Sequence, residues 1–320
     1  MDVFNMFLPV AGVEFNWLYL ILIGFAVGLM GGFFGIGGGP VLTPALNIFG
    51  FPMAVAIGTG MLNVFGQSIV GFRKHAALKN VNIRLGLTVG GAMLAGVELG
   101  KQIILRLETF NLEGAIVRYV YLLLLFGLTA RFLRDYLGAR KSGHGSGCSE
   151  SATAGIRPKP KTLSAILIGL GVGILAGFLG VGGGFLLVPA FIYLLGLPTR
   201  TAVGTSVLCC VLSGAYGGVS YAIEGRMDLI AALLLLTGSS FGSQFGASAV
   251  KYAGSYWLRF LYAIMLLMVA IGVMLKQLDE MIPEANFSFV AQAIVLATAG
   301  SISLVILTQF FRGIRAERQK

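Results

Sequence analysis

The chain has 320 residues, of which 57% are apolar and only 11% are charged, with a mean hydropathy of +0.88. A soluble domain carries charge on roughly a quarter of its residues, so this composition excludes a soluble fold. The net charge of +10 would suit a nucleic-acid partner, but the Lys and Arg residues lie in loops beside long apolar runs. In that position they set membrane orientation. Composition therefore predicts a polytopic protein of the lipid bilayer with no nucleic-acid partner.

The apolar residues form five predicted segments in each half of the chain and one further segment at the end. One crossing needs ~20 apolar residues. The runs at 17–50 and 163–199 are too long for a single helix and contain Gly and Pro, so each is predicted to be a pair of shorter helices. Whether each pair crosses or re-enters on the same side is left open, since both give the same topology. In chain order the segments are 17–33, 37–50, 53–72, 84–104, 114–137, 163–180, 184–197, 199–223, 229–250, 258–276 and 287–310.

The second half of the chain repeats the first. The tract Gly35-Ile36-Gly37-Gly38-Gly39 returns as Gly180-Val181-Gly182-Gly183-Gly184, an offset of 145 residues (35 to 180) that becomes 146 after one insertion (59 to 205). Correspondence over about 75 residues predicts two copies of one structural unit. Further matches pair Gly24, Gly28 and Gly32 with Gly169, Gly173 and Gly177, and Pro52, Gly58 and Thr59 with Pro198, Gly204 and Thr205.

Basic residues predict how these two units are oriented. They cluster in the loop at 73–84, in the central loop at 131–161 and in the tail from Arg312, whereas none precedes Arg73. The positive-inside rule makes these three regions cytoplasmic and places the N-terminus outside. An odd number of segments per half then gives the second half the opposite orientation, as in many secondary transporters.

The predicted fold class is therefore an all-α, polytopic membrane protein with two inverted repeats and helices broken at the Gly-rich motifs. Each repeat has about five hydrophobic segments, and one extra span follows at the C-terminus. The predicted divisions are a first transmembrane repeat at 1–137, a cytoplasmic linker at 138–162, a second inverted repeat at 163–276, and an extra span with a basic cytoplasmic tail at 277–320.

The Gly-rich tracts are the first candidate site. Three adjacent glycines would destroy a packing helix, yet both halves have them. Without Cβ atoms, successive N–H groups can converge, and the following helix begins with its positive dipole end at that point. The tracts therefore predict a nest of backbone amides that binds a small anionic substrate. Pro40 follows the first tract and Phe185 the second, so the two half-sites are not equivalent. The candidate glycines are Gly37, Gly38, Gly39, Gly182, Gly183 and Gly184.

Polar residues on the helix after each tract are the second candidate site. Thr59 corresponds to Thr205, which is followed by Ser206. These hydroxyls either face the nest or bond the carbonyls of the preceding turn. Asn63 and Gln67 lie further along the first of these helices. Amides within a span are costly unless bonded, so these two either line a pathway or hold helices together.

The remaining reactive residues indicate neither an enzyme nor a metal site. The two histidines, His75 and His144, are predicted to lie in loops, and Cys209-Cys210 is predicted to pack as small apolar side chains. His144 and Cys148 are too few for a zinc site. We therefore predict no catalytic residue, no metal and no cofactor. A membrane enzyme or assembly factor that acts on a sulfur compound stays open as an alternative, as does a transporter of another small metabolite.

The repeated motif resembles that of the TauE/SafE sulfite exporters, a family of anion permeases of the sulfite and 4-toluene sulfonate type. The resemblance rests on Gly-Phe-x-Gly-x-Gly-Gly-Gly with the following Leu-x-Pro-Ala, at 32–45 and again at 177–190, and on Ala-x-Gly-Thr at 56–59 and 202–205. It implies a multi-pass inner-membrane exporter of sulfite, sulfoacetate or related organosulfonates. The small-residue ladders also leave a homodimer possible.

Overall fold

The structure is a computed structural model that describes residues 5–141, 162–252, 255–282 and 287–318. An antiparallel hairpin of two strands, β1 (Asn5–Leu8) and β2 (Val13–Asn16), comes first, and the sequence analysis did not predict it. The helices in the described residues are α1 (Trp17–Phe34), α2 (Gly39–Ile48), α3 (Met53–Ala77), α4 (Ile83–Glu108), α5 (Glu113–Lys141), α6 (Thr162–Leu179), α7 (Gly184–Tyr193), α8 (Thr199–Ile223), α9 (Leu229–Ala249), α10 (Ser255–Met281) and α11 (Phe287–Arg318).

Within these ranges, nine α-helices are long and apolar enough to cross a membrane by length and composition, and the other two α-helices, α2 and α7, are shorter. This confirms the predicted all-α polytopic fold. Residues 142–161, which hold most of the predicted linker together with His144 and Cys148, lie outside the described residues.

The contacts between the two halves show that the repeats are inverted. Along α3 and α8, Met61 meets Gly217 while Phe65 meets Gly214, so these equivalent helices run antiparallel. Helix α1 packs along α9, and its counterpart α6 packs along α4. Both of these pairs run parallel. Gly24 meets Leu235 and Gly32 meets Ser243 in the first pair, and Gly169 meets Val89 and Gly177 meets Val97 in the second. Opposite directions for α3 and α8 require that the second repeat enters the bundle from the opposite side.

Helices α1 and α2 form a re-entrant hairpin. Phe15, just before α1, stacks edge-to-face on Phe49 and Phe51, just after α2, with ring centroids 5.5 and 6.3 Å apart. The outer ends of the two helices therefore lie on the same side of the molecule. Helix α2 has 10 residues, so it spans ~15 Å at 1.5 Å per residue, about half of a ~30 Å hydrocarbon core.

The loops define two faces of the molecule. We call the N-terminal face the side that holds residues 5–16, 49–52, 109–112 and 224–228, and the linker face the side that holds residues 78–82 and 194–198. Asp228 ties the first of these together, because its carboxylate accepts from the Val10 and Ala11 amides, at 3.1 and 3.3 Å, and caps α9. The ends of α5 and α11 and the start of α6 lie at the linker face.

Glycines set the closest helix contacts between the halves. A Cβ at Gly28 would overlap the backbone of Ser239 on α9, and one at Gly173 would lie 2.6 Å from the Met93 carbonyl oxygen on α4. Small residues four apart let helix backbones approach in this way. The glycine ladders are thus used inside one chain, between its halves, and they do not supply the surface of a dimer.

A matched pair of alanine substitutions on α6 tests this packing. Gly173→Ala places its Cβ 2.8 Å from Met93 Cα, whereas Gly171→Ala meets no atom within 4 Å. We expect the first to destabilise the protein by about 1–3 kcal/mol through overpacking. The second should leave stability unchanged or raise it by up to ~1 kcal/mol, since Ala favours helix over Gly. Melting temperatures of the two purified variants decide the matter, and equal values would contradict the packing argument.

Candidate functional site

Two helix breaks form the centre of the molecule. The first break is residues 35–38, between α1 and α2, and the second is residues 180–183, between α6 and α7. Gly35, Gly37 and Gly38 have φ of 71°, 70° and 68°, and the matching residues of the second break have 71°, 65° and 85°. This left-handed region strongly favours glycine. The predicted interruption of both helices at the Gly-rich tracts is therefore confirmed, and the left-handed backbone explains why glycine occupies these positions.

The two breaks contact each other by their backbones. A Cβ at Gly184 would lie 2.8 Å from the Ile36 carbonyl oxygen, and one at Gly39 would overlap the Val181 backbone. Since Gly39 corresponds to Gly184 and Ile36 to Val181, the contact is reciprocal across a pseudo-twofold axis. Every residue of both breaks is buried. The breaks also lie against Val64, near the middle of α3.

Several backbone amides at these breaks have no acceptor. The Gly38 carbonyl accepts from Val41 and Leu42, which starts α2, and the Gly183 carbonyl does the same for α7. No backbone bond of the described chain is donated by the amides of Gly37, Gly38, Gly182 or Gly183. Unpaired N–H groups at a helix N-terminus are the usual donors to an anion. The second half has one more such group, because Phe185 has an N–H where Pro40 has none.

Gln67 faces the first break without a partner. The side chain is 2% exposed, and neither its Oε1 nor its Nε2 makes a hydrogen bond. It lies so close to the break that a Cβ at Gly38 would be 2.7 Å from Nε2 and one at Gly31 would be 3.1 Å from Oε1. Its counterpart Ser213 is satisfied, because its hydroxyl donates to the Gly182 carbonyl at 2.7 Å. Only the first half thus presents an unsatisfied amide to its break.

Asn63 uses one of its two side-chain polar atoms in a hydrogen bond. Its Oδ1 accepts from the Ser239 hydroxyl at 2.7 Å, which joins α3 to α9, whereas its Nδ2 has no partner. The counterpart Cys209 makes a weaker contact, with Sγ 3.4 Å from the Gly86 carbonyl oxygen. Asn63 thus holds helices together through one atom and keeps a free donor on the other.

Thr59 and Thr205 bond to the opposite half rather than to a break. The Thr59 hydroxyl oxygen accepts from the Asp228 amide at 3.1 Å, and that of Thr205 accepts from the Asn82 amide at 3.0 Å. Asp228 and Asn82 cap α9 and α4. Neither alternative of the sequence analysis, facing the nest or bonding the preceding turn, describes these two bonds.

Ser206 reaches a break directly. Its hydroxyl lies 2.9 Å from the Gly35 carbonyl and 2.8 Å from the Val203 carbonyl. In the second half the Gly180 carbonyl instead accepts from Thr43, at 3.1 Å. The sequence analysis missed Thr43, and nothing in its pattern distinguishes it from other hydroxyls in spans. Each break therefore has its left-handed glycine carbonyl bonded by a hydroxyl of the other half.

A cavity lies beside the first break. It is small, with a volume of about 10 Å³ or room for about one water molecule, and Ser68, which the sequence analysis also missed, is one of its walls with no hydrogen-bond partner. The lining residues are Gly31, Gly32, Gly37, Gln67, Ser68, Gly71 and Val207. Of the candidate residues from the sequence analysis, Gly37 and Gln67 line this cavity. Among the described residues no cluster of three or more His, Cys, Asp or Glu is placed to hold a metal.

Arg118 is a buried cation near the start of α5. It is 4% exposed on α5, and its guanidinium donates to Asn47 at 3.1 Å and to Gln277 at 2.7 Å and pairs with Glu280. Asn47 lies near the C-terminal end of α2, where a cation is favourable. Arg118 therefore fastens the outer end of the first re-entrant hairpin to α5 and α10.

A bundle of inverted repeats whose broken helices meet at a buried polar site has the architecture of a membrane transporter. The chain belongs to the TauE/SafE family, since the family described as "Sulfite exporter TauE/SafE" matches residues 20–273. This confirms the resemblance drawn from the repeated motif.

Curated relatives are named as transporters too. A probable membrane transporter protein of Methanocaldococcus jannaschii is 31% identical over 65% of this chain and 75% of its own length. The probable membrane transporter protein YunE of Bacillus subtilis is 28% identical over 73% of this chain and 88% of its own. A probable membrane transporter protein of Haemophilus influenzae is 27% identical over 81% and 98%. No solved structure matches the chain significantly.

The hydrogen bond between the Asp228 amide and the Thr59 hydroxyl can be tested through stability alone, apart from any role in the site. Thr59→Val leaves the buried Asp228 amide without its acceptor, so we expect a loss of about 1–3 kcal/mol in stability. Thr59→Ser should restore most of it. Thr237→Val is the control, because that exposed hydroxyl bonds only its own helix. Thermal melting measures the effect. A Thr59→Val protein that melts like the control would contradict the cap assignment.

Proposed function

We propose that this protein is a secondary transporter that exports small sulfur oxoanions such as sulfite or organosulfonates. The observation that carries the proposal is that glycine N–H groups without acceptors and the Gln67 side-chain amide without a partner lie together at the first break. A buried polar group without a partner costs free energy. Groups of this kind persist at a site where a ligand supplies the missing partner.

The chemistry of the donors favours an anion. Backbone N–H groups and the Gln67 and Asn63 amide nitrogens all donate, whereas the described part of the site has no acidic side chain. A sulfite or sulfonate carries three oxygens on one sulfur and accepts several such bonds at once. Backbone amides bind oxoanions in the same way at other helix N-termini.

The membrane potential is sufficient to drive export. With the inside negative, the free energy of an anion falls by about 2.3 kcal/mol per charge per 100 mV as it leaves the cell. The sequence has no Walker A tract, in which Gly-Lys-Ser/Thr would follow the glycines. Efflux without a coupled cation is therefore enough for this function, whereas uptake would need one.

The distribution of ion pairs supports an N-terminus outside and a C-terminus in the cytoplasm of the inner membrane. At the N-terminal face most described cations are paired with acids: Lys101 with Glu98 and Glu224, Arg118 with Glu280, Arg226 with Glu108, and Lys276 with Asp279. At the linker face the described side chains make one ion pair, Lys251 with Glu317. Uncompensated positive charge thus gathers at the linker face, as expected of a cytoplasmic side.

Counterflow of radiolabelled sulfite in proteoliposomes tests the function. Sulfoacetate, taurine, sulfate and thiosulfate serve as competitors, and Gly183→Leu is the inactive control because its left-handed φ of 85° and the nearby Met93 leave no room for a side chain. We expect saturable exchange that the control lacks. Absence of exchange with every one of these anions, from folded protein, would overturn the sulfur oxoanion proposal.

Gln67→Leu separates substrate binding from structure. It removes two unpaired buried polar atoms, so we expect the free energy of unfolding to rise by about 1 kcal/mol or more. The variant should therefore melt at or above the wild-type temperature. Counterflow should fall roughly tenfold or more, the equivalent of ~1.4 kcal/mol of lost binding. The matched change in the second half, Ser213→Ala, removes a satisfied bond and should lower stability instead. Unchanged counterflow in Gln67→Leu would exclude Gln67 from the site.

Labelling of single cysteines from either side tests the orientation. Phe110 is 71% exposed at the N-terminal face and Leu78 is 46% exposed at the linker face. In whole cells with a permeabilised outer membrane, a membrane-impermeant thiol reagent should label Phe110→Cys directly. Leu78→Cys should react only after the inner membrane is opened. The reverse pattern would invert the proposed orientation.

A further inference from the structure

The two halves differ along the face of α3 and α8 that leads away from the breaks. Positions four apart on a helix share a face, and three such positions correspond between the repeats. They are Gln67 with Ser213, Gly71 with Gly217, and His75 with Tyr221. Helix α3 runs from the N-terminal face to the linker face, so this row extends from the first break toward the linker face.

In the second half this row is filled and hydrogen-bonded. Tyr221 donates its hydroxyl to the Gly177 carbonyl at 2.8 Å, and Ser213 donates to Gly182. A Cβ at Gly217 would overlap the terminal methyl of Met61. Side chains thus close the space between the second break and the N-terminal face.

In the first half the same row is left open. The counterpart of Met61 is Val207, a smaller side chain (61 to 207, the same offset of 146). A Cβ at Gly71 would meet only Val207 Cγ1, at 3.4 Å. The cavity of about 10 Å³ lies at this point of the row and is lined by both Gly71 and Val207. The asymmetry follows from the sequence, because Val, Gly and His stand where the second half has Met, Gly and Tyr.

His75 lies at the far end of this row. It is 1% exposed, and its ring faces the Gly32 carbonyl, but neither nitrogen meets it, or any other group, with hydrogen-bond geometry. Gly32 corresponds to Gly177, the residue that Tyr221 bonds in the second half. A tyrosine would therefore satisfy this position in the same way, yet the first half has a histidine whose polar atoms are buried and unpaired. The sequence analysis had predicted a solvent-exposed loop histidine, and its burial is a correction.

We propose that this cavity is the substrate's route between the first break and the linker face, and that His75 is a second binding residue on it. Its ring N–H donates to an oxygen of the anion about 12 Å, or eight residues of helix, beyond Gln67. The ligand class is a small oxoanion, and because the cavity at rest has room for only about one water molecule, the surrounding helices must move apart as the anion passes. This inference rests on the proposed function for the identity of the anion but not for the existence of the route.

The first test fills the cavity. Val207→Met copies the second half's residue and should reduce sulfite counterflow roughly tenfold or more, a barrier of at least ~1.4 kcal/mol. Val219→Met is the matched control, because Val219 lies on the same helix and is 59% exposed. It should exchange like the wild type. Full exchange by Val207→Met, in protein that melts normally, would overturn the route.

The second test changes His75. His75→Tyr copies the second half and should lose counterflow by roughly tenfold or more while melting at or above the wild-type temperature, because it gains a bond to Gly32. His75→Gln keeps an N–H donor and should stay within about threefold of the wild type. A purely structural histidine would give a different result, in which the two variants transport alike and differ only in stability. That result would remove His75 from the route.

The third test needs no substrate. Gly71→Cys is labelled by an anionic methanethiosulfonate applied at the linker face, and Gly217→Cys by the same reagent applied at the N-terminal face, toward which its own row leads, with the unmodified chain as background. We expect Gly71→Cys to react at least about tenfold faster, since only an accessible thiolate reacts. Equal labelling would overturn the route. Fast labelling in a protein that exchanges no sulfur oxoanion would keep the route and reject the proposed substrates instead.

Discussion

The structure depends on one constraint: irregular backbone inside a bilayer must be covered by other parts of the protein. Two helix breaks satisfy it by packing on each other, and this is possible only because Gly39 and Gly184 have no Cβ where they meet Val181 and Ile36. Hydroxyls of the opposite half then bond the left-handed glycine carbonyls, from Ser206 to Gly35 and from Thr43 to Gly180. The amides on the other side of each break stay unbonded. Covering the breaks and leaving backbone N–H donors unbonded are thus two results of the same arrangement.

The inverted repeat supplies this geometry, but the site itself is asymmetric. Symmetry brings the breaks together at the middle of α3 and α8, whereas differences at a few equivalent positions decide which side has unpaired polar atoms. Gln67 replaces Ser213 and His75 replaces Tyr221. In the second half the hydroxyls of Ser213 and Tyr221 donate to backbone carbonyls. In the first half the side-chain polar atoms of Gln67 and His75 have no hydrogen-bond partner. A duplicated scaffold can in this way hold one binding site rather than two equal ones.

Much of the fold could be predicted from the sequence, because hydropathy, glycine spacing and the offset of the repeat are properties of the chain alone. The breaks, the inverted topology and the glycine ladders all follow from such patterns. The roles of individual polar residues could not be predicted in the same way. Thr59 and Thr205 lie on the helix after each Gly-rich tract, as the other polar candidate residues do. Their partners, Asp228 and Asn82, lie in the other half of the chain. The re-entrant path of α1 and α2 also depended on a distant contact, that of Phe15 with Phe49 and Phe51.

The exchange of helix caps between the halves has a consequence for the origin of the protein. The Asp228 amide depends on Thr59 of the first repeat, and the Asn82 amide depends on Thr205 of the second. A single repeat on its own would leave its cap amide and its break carbonyl without partners in the membrane. Such a unit is complete only beside a copy inserted upside down. The present chain is therefore structurally equivalent to an antiparallel dimer whose two subunits are joined, and within one chain the two repeats can differ in sequence.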